Sequence, residues 1–81
     1  MTDDEMLAVI RTVVAEETGG PTLDIMPDMT ANDIPGWDSL AHIRIILELG
    51  SRLGVSIDVE ATYRAATIGD LIPLVRRSPK A

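Results

Sequence analysis

The run Trp37-Asp38-Ser39-Leu40-Ala41-His42 holds the side chains of this chain that bear most directly on chemistry, with the Ser39 hydroxyl foremost. Ser39 follows a long stretch with Pro and Gly and opens an apolar, periodic segment directly after Asp38. Aspartate is a favoured helix N-cap because its carboxylate accepts a backbone N–H that the first turn leaves free. A hydroxyl just behind such a cap faces solvent. A phosphate attached to it would meet unpaired backbone N–H groups and the positive end of the helix dipole. The plainer alternative is an ordinary first-turn serine, since serine is common there.

Other chemistries lack their residues. One histidine and no cysteine exclude a His-rich or thiolate metal site, a thiolate nucleophile and a disulfide framework. Asp24, Asp28 and Asp33 do not follow the alternating ligand spacing and central glycine of a calcium loop. Gly36-Trp-Asp-Ser-Leu40 lacks the second glycine of a nucleophile elbow, and no base and carboxylate complete a catalytic set, so no catalytic residue is assigned. The glycines do not gather into a phosphate loop, and the only lysine is Lys80.

The elements that must hold Ser39 are helical. Thr2 and Glu5 have capping-box spacing, and Met6, Leu7, Val9, Ile10, Val13 and Val14 recur with a helical period. Gly19-Gly20-Pro21 stops this first helix, placing it over about residues 3–17. Residues 20–36 lack a sustained period, and so long a connection is usually functional or disordered. Leu23, Ile25, Met26, Met29 and Ile34 should pin it across the helix ends.

The second helix is expected from an Asp38 cap to Leu53, before Gly54, and a short third one from Val59 to Ala65. Thr67 with Asp70 marks the start of a fourth, whose stripe is Ile68, Leu71, Ile72 and Val75. Pro73 inside it should remove a hydrogen bond and kink or shorten it. Val55-Ser56-Ile57 alternates like a strand with nothing to pair with, and residues 78–81 read as a frayed tail behind a domain of residues 1–77.

At 81 residues there is one modest core and no room for a deep cleft, since folding at this size hides roughly 60–65% of the chain's surface. The core must be aliphatic, because there is no Phe, one Trp and one Tyr. The expected fold class is therefore all-α, a four-helix bundle. The net charge of −6 argues against nucleic acid, whose phosphates attract basic surfaces. Residues 1–40 carry nine acids and one base, whereas residues 41–81 carry four acids and six bases, which suggests an acidic face for basic partners or simply a solvated surface. No segment approaches the length of about 18 apolar residues that spans a membrane, and the acidic start is unlike a secretory signal. A cytoplasmic monomer is expected.

Asp38-Ser39-Leu40, set between a Pro-Gly loop and an apolar helix, resembles the attachment site of acyl carrier proteins. The resemblance runs over nearly the whole chain: a first helix, a long loop, the Asp-Ser-Leu helix, then Leu53-Gly-Val-Ser-Ile57 and Thr67-Ile-Gly-Asp70. It implies a four-helix bundle of acyl-carrier type whose Ser39, flanked by Asp38 and Leu40, bears 4′-phosphopantetheine transferred from coenzyme A by a magnesium-dependent phosphopantetheinyl transferase. The protein would then be a carrier rather than an enzyme. It would hold an acyl, aminoacyl or polyketide intermediate as a thioester and meet a loading ligase and a downstream transferase or synthase. The arm would also supply the thiol that a cysteine-free chain lacks. The reading from another class is an unmodified helical interaction module.

On the second helix, Ile45, Ile46, Leu49 and Leu53 fall on one side, while Leu40, Ile43 and Leu47 fall on another beside Arg44. The second stripe must be covered, by the long loop or the third helix, or left for partners, and the family docks its enzymes there. Fatty-acid carriers have acids in this region; Ala41-His42-Ile43-Arg44 and Arg64 depart from that, which should weaken docking to general fatty-acid enzymes. Trp37 should either cap the core or contact a partner, and His42 falls on the core side, in a structural role.

Overall fold

The computed structural model describes residues 1–20 and 24–81. Pro21 and Leu23, one expected to stop the first helix and the other to pin the loop, lie outside the described residues. Among the described residues four α-helices follow in order, α1 Asp3–Thr18, α2 Ser39–Leu53, α3 Val59–Thr62 and α4 Leu71–Arg77, with a 3-10 turn at Ala31–Asp33 between the first two. α1 packs on α2 and α4, and α3 packs on α2 and α4. The all-α expectation holds.

α1 starts with the expected reciprocal cap. The Thr2 N–H donates to Glu5 Oε1 at 2.8 Å, and the Glu5 N–H donates to Thr2 Oγ1 at 3.1 Å. Its buried face, Met6, Ile10, Val13 and Val14, meets Ile45, Ile46 and Leu49 of α2 in one aliphatic core that also takes Ile25, Ile34, Ile68, Leu71 and Val75. Leu7, Val9, Leu53 and Ile72 are only partly covered.

The connection into α2 is held by packing and by backbone bonds. Ile25 and Ile34 are buried, and Met29 packs against the core. Met26 does not pin the loop: its side chain is exposed. The loop is instead tied to the stretch before α4, where the Ile68 and Gly69 N–H groups donate to the carbonyls of Met29 and Pro27, each at 2.8 Å. Asp33 works locally, its carboxylate accepting from the Thr30 N–H at 2.9 Å.

Three sequence expectations change in the C-terminal half. α3 ends at Thr62 and gives way to turns that close on i−3 carbonyls, from Tyr63 to Glu60 and from Arg64 to Ala61. α4 begins at Leu71 rather than at Thr67. Thr67 and Asp70 do exchange cap-like bonds, but the bonds from Asp70 to Thr67, Leu71 to Ile68 and Ile72 to Gly69 are 3-10 in type. Pro73 is thus the third residue of α4, within the first turn, where an N–H has no partner inside the helix and none is lost. Finally, Val55 does find a partner. It forms an antiparallel bridge with Lys80, flanked by bonds from the Ser56 N–H to Pro79 and from the Ala81 N–H to Gly54, so residues 79–81 are held and not frayed.

Candidate functional site

The chain turns sharply into α2. Gly36 adopts φ 89°, a left-handed conformation that favours glycine, and a Cβ there would stand 3.0 Å from the Thr18 carbonyl oxygen at the end of α1. Gly36 therefore lets the loop cross α1 closely and deliver Trp37, Asp38 and Ser39 at the surface. Asp38 is extended, φ −105° and ψ −173°, and its Oδ1 accepts the Ala41 N–H at 2.8 Å, which is the expected N-cap. Ser39 is the first helical residue and is exposed. The N–H groups of Ser39 and Leu40 find no acceptor among the described residues.

Behind Ser39 lies a polar relay that sequence reasoning only half anticipated. The Trp37 Nε1–H donates to His42 Nδ1 at 3.0 Å, and His42 Nε2 lies 2.7 Å from Thr62 Oγ1. The Thr62 hydroxyl in turn donates to the Val59 carbonyl at 2.5 Å. An indole N–H can only donate, so Nδ1 must be the unprotonated nitrogen and Nε2–H the donor to Thr62. His42 is buried, as its helical angle implied, and burial holds its pKa below the ordinary imidazole value. Tyr63 stacks on its other side, with ring centroids 4.4 Å apart. Trp37 is half-buried, packed against the core and bonded inward, and it also lines the groove beside Ser39. Nothing in the sequence marked Thr62 and Tyr63, which reach the site from twenty or so residues away. With Asn32, these groups line an open groove beside Ser39.

The second stripe of α2 is uncovered. Leu40, Ile43 and Leu47 are 56%, 39% and 62% exposed, whereas Leu49 is fully buried. All three stay exposed to solvent in the folded chain. Arg44 stands among them, one turn from Leu40 and from Leu47, and is exposed. Arg52 is paired with Glu16 and, at 2.9 Å, with Glu48, which draws the nearest acid of α2 away from this stripe. Among the described residues Arg44 and Arg64 form no ion pair. No group of metal-ligating side chains and no helix long and apolar enough to cross a membrane occurs among the described residues.

Comparison with known proteins places this geometry in context. Residues 8–75 match the family described as "Phosphopantetheine attachment site". An acyl carrier protein of Exiguobacterium sp. is 27% identical over 75 residues, covering 93% of this chain and 95% of that one. One from Kineococcus radiotolerans is 28% identical over 76 residues, covering 94% of each. The meromycolate extension acyl carrier protein of Mycobacterium leprae is 27% identical over 77 residues, 95% of this chain and 67% of that one. No solved structure matches.

Proposed function

The chain belongs to the phosphopantetheine-attachment family of acyl carrier proteins, which are carriers and not enzymes, and on that premise we propose that Ser39 is the hydroxyl that bears its 4′-phosphopantetheine. The observation that carries the reading is the exposed Ser39 at the head of α2, behind a cap that occupies only the Ala41 N–H. A phosphodiester on Ser39 Oγ fits there: the free N–H groups of Ser39 and Leu40 and the positive end of a 15-residue helix face it. Asp38 holds the turn in place.

When attached, the group supplies a terminal thiol, on which the family carries cargo as a thioester; the chain has no cysteine of its own to compete. The protein's own residues present the arm and identify the carrier to its partners. Leu40, Ile43 and Leu47 with Arg44 at their centre are the docking face, and Trp37 adds to the surface presented beside Ser39. Partners are then a phosphopantetheinyl transferase, a ligase that loads an acyl, aminoacyl or polyketide unit, and an enzyme that takes it on. A cation inside an apolar patch suits a partner surface with a carboxylate, unlike the basic surfaces that suit acid-rich carriers.

Intact-mass measurement of the purified chain with coenzyme A and a broad-specificity phosphopantetheinyl transferase tests the assignment. The wild-type chain should gain a single phosphopantetheinyl group, and Ser39→Ala should gain none while melting at the same temperature. No mass gain by the wild type would leave the unmodified interaction module as the reading.

A further inference from the structure

The Trp37–His42–Thr62 relay crosses three elements: the loop, α2 and α3. Its donors and acceptors match in only one protonation state. With His42 neutral, Nδ1 accepts from Trp37 and Nε2–H donates to Thr62, whose hydroxyl is already committed to Val59. Adding a proton at Nδ1 sets two N–H groups against each other at the Trp37 end. At the Thr62 end nothing changes, because Nε2–H still donates. The stacked Tyr63 ring tolerates a cation on its face. Charging His42 therefore breaks the relay at one place only, the indole.

We propose that His42 is a positioning residue for the arm-bearing turn: neutral, it anchors the Trp37 indole beside Ser39, and protonated, it lets that indole go while staying bound to α3. The consequence for the arm rests on the Ser39 reading above; the relay itself does not. Few groups compete for control of this titration. Asp38, four residues earlier at the N-cap of α2, has its carboxylate on the Ala41 N–H, and Tyr63 is the titratable group presented from the α3 side. The loop contributes Trp37, Ala31 and Asn32 to the groove, none of them titratable. Burial, which disfavours the cation, acts in the same direction as the indole donor.

His42 is the only histidine and Trp37 the only tryptophan, so the imidazole C–H signals and the indole N–H signal are each assignable to one residue. The unmodified chain is titrated between about pH 8 and pH 5 by NMR, the range in which histidine changes charge. The indole N–H should shift with the same midpoint as the imidazole. In the acidic limb it should exchange with water about tenfold faster than in His42→Gln at the same pH. Trp37→Phe removes the donor and should raise the His42 midpoint, a readout that holds even where His42→Gln folds poorly. An indole resonance indifferent to His42 ionisation, or an unmoved midpoint in Trp37→Phe, overturns the relay. Loading rates of Ser39 by the transferase then test positioning: the ratio of wild type to His42→Gln should fall severalfold across that midpoint. A ratio flat with pH overturns the positioning role, whereas absence of loading at every pH strikes at the Ser39 assignment instead.

Discussion

Asp38 and Ser39 divide the first turn of α2 between them: the carboxylate closes one backbone donor, and the hydroxyl stays open to solvent next to two others. That division was legible in the sequence because capping depends on neighbours in the chain. His42 was half legible. Its angle on α2 gave the burial, but the bond to Thr62 spans twenty residues and depends on how α3 docks. The buried imidazole has a measurable consequence for stability. Its folded pKa lies below the unfolded value, about 6.5, so the unfolded chain binds a proton that the folded chain resists. The stabilising contribution is complete above the unfolded value and is lost as pH falls through the folded one. Urea melts should thus show stability declining as the pH drops below about 6.5, with the decline flattened in His42→Gln. Glu5, whose pKa is lowered chiefly by its backbone bond to Thr2, belongs to a more acidic window and leaves this one clear. Equal pH dependence in both proteins would remove His42 as the cause.

At the scale of elements, α2 carries two apolar stripes in two environments. Periodicity separated them, and the structure buries one and exposes the other. Leu49→Ala should cost about 2–5 kcal/mol, as removal of a core side chain does, a large loss for a domain this small. Leu47→Ala should stay within about 0.5 kcal/mol and yet slow transfer to or from a cognate enzyme. Paired thermal melts and loading rates check this, and equal destabilisation would place Leu47 in the core. The elements after α2 were less legible. Thr67 and Asp70 bond to each other as their spacing suggests, but the turn they cap is 3-10, held by Ile68 and Gly69 bonding back to the loop. A capping pattern reports a turn and its polarity, while the choice between α and 3-10 is made by tertiary contacts. Residues 79–81 escaped notice for a related reason. A single bridge to Val55 has no alternating pattern of its own, and it forms because the end of α4 brings the two segments together.

Over the whole molecule, two ion pairs cross the charge division between the halves. Asp3 meets Arg76 at 2.6 Å and Glu16 pairs with Arg52, so acids of α1 answer bases of α2 and α4. Such exposed pairs contribute about 0–1 kcal/mol each, and their larger effect is on what remains unpaired. Arg44 and Arg64 are exposed and stand outside these pairs, Arg44 on α2 five residues after Ser39, a local basic character that the net charge of −6 conceals. Composition alone could state the imbalance; only the fold shows which charges face one another. All of this is arranged around one hydroxyl, and the chain offers three other serines, Ser51, Ser56 and Ser78, as internal controls. The most direct measurement is fragmentation mass spectrometry of the chain after loading by a phosphopantetheinyl transferase. The account predicts that the phosphopantetheinyl group is recovered on the peptide fragment holding Ser39 and on no other hydroxyl. Recovery on Ser51, Ser56, Ser78 or any threonine would contradict it.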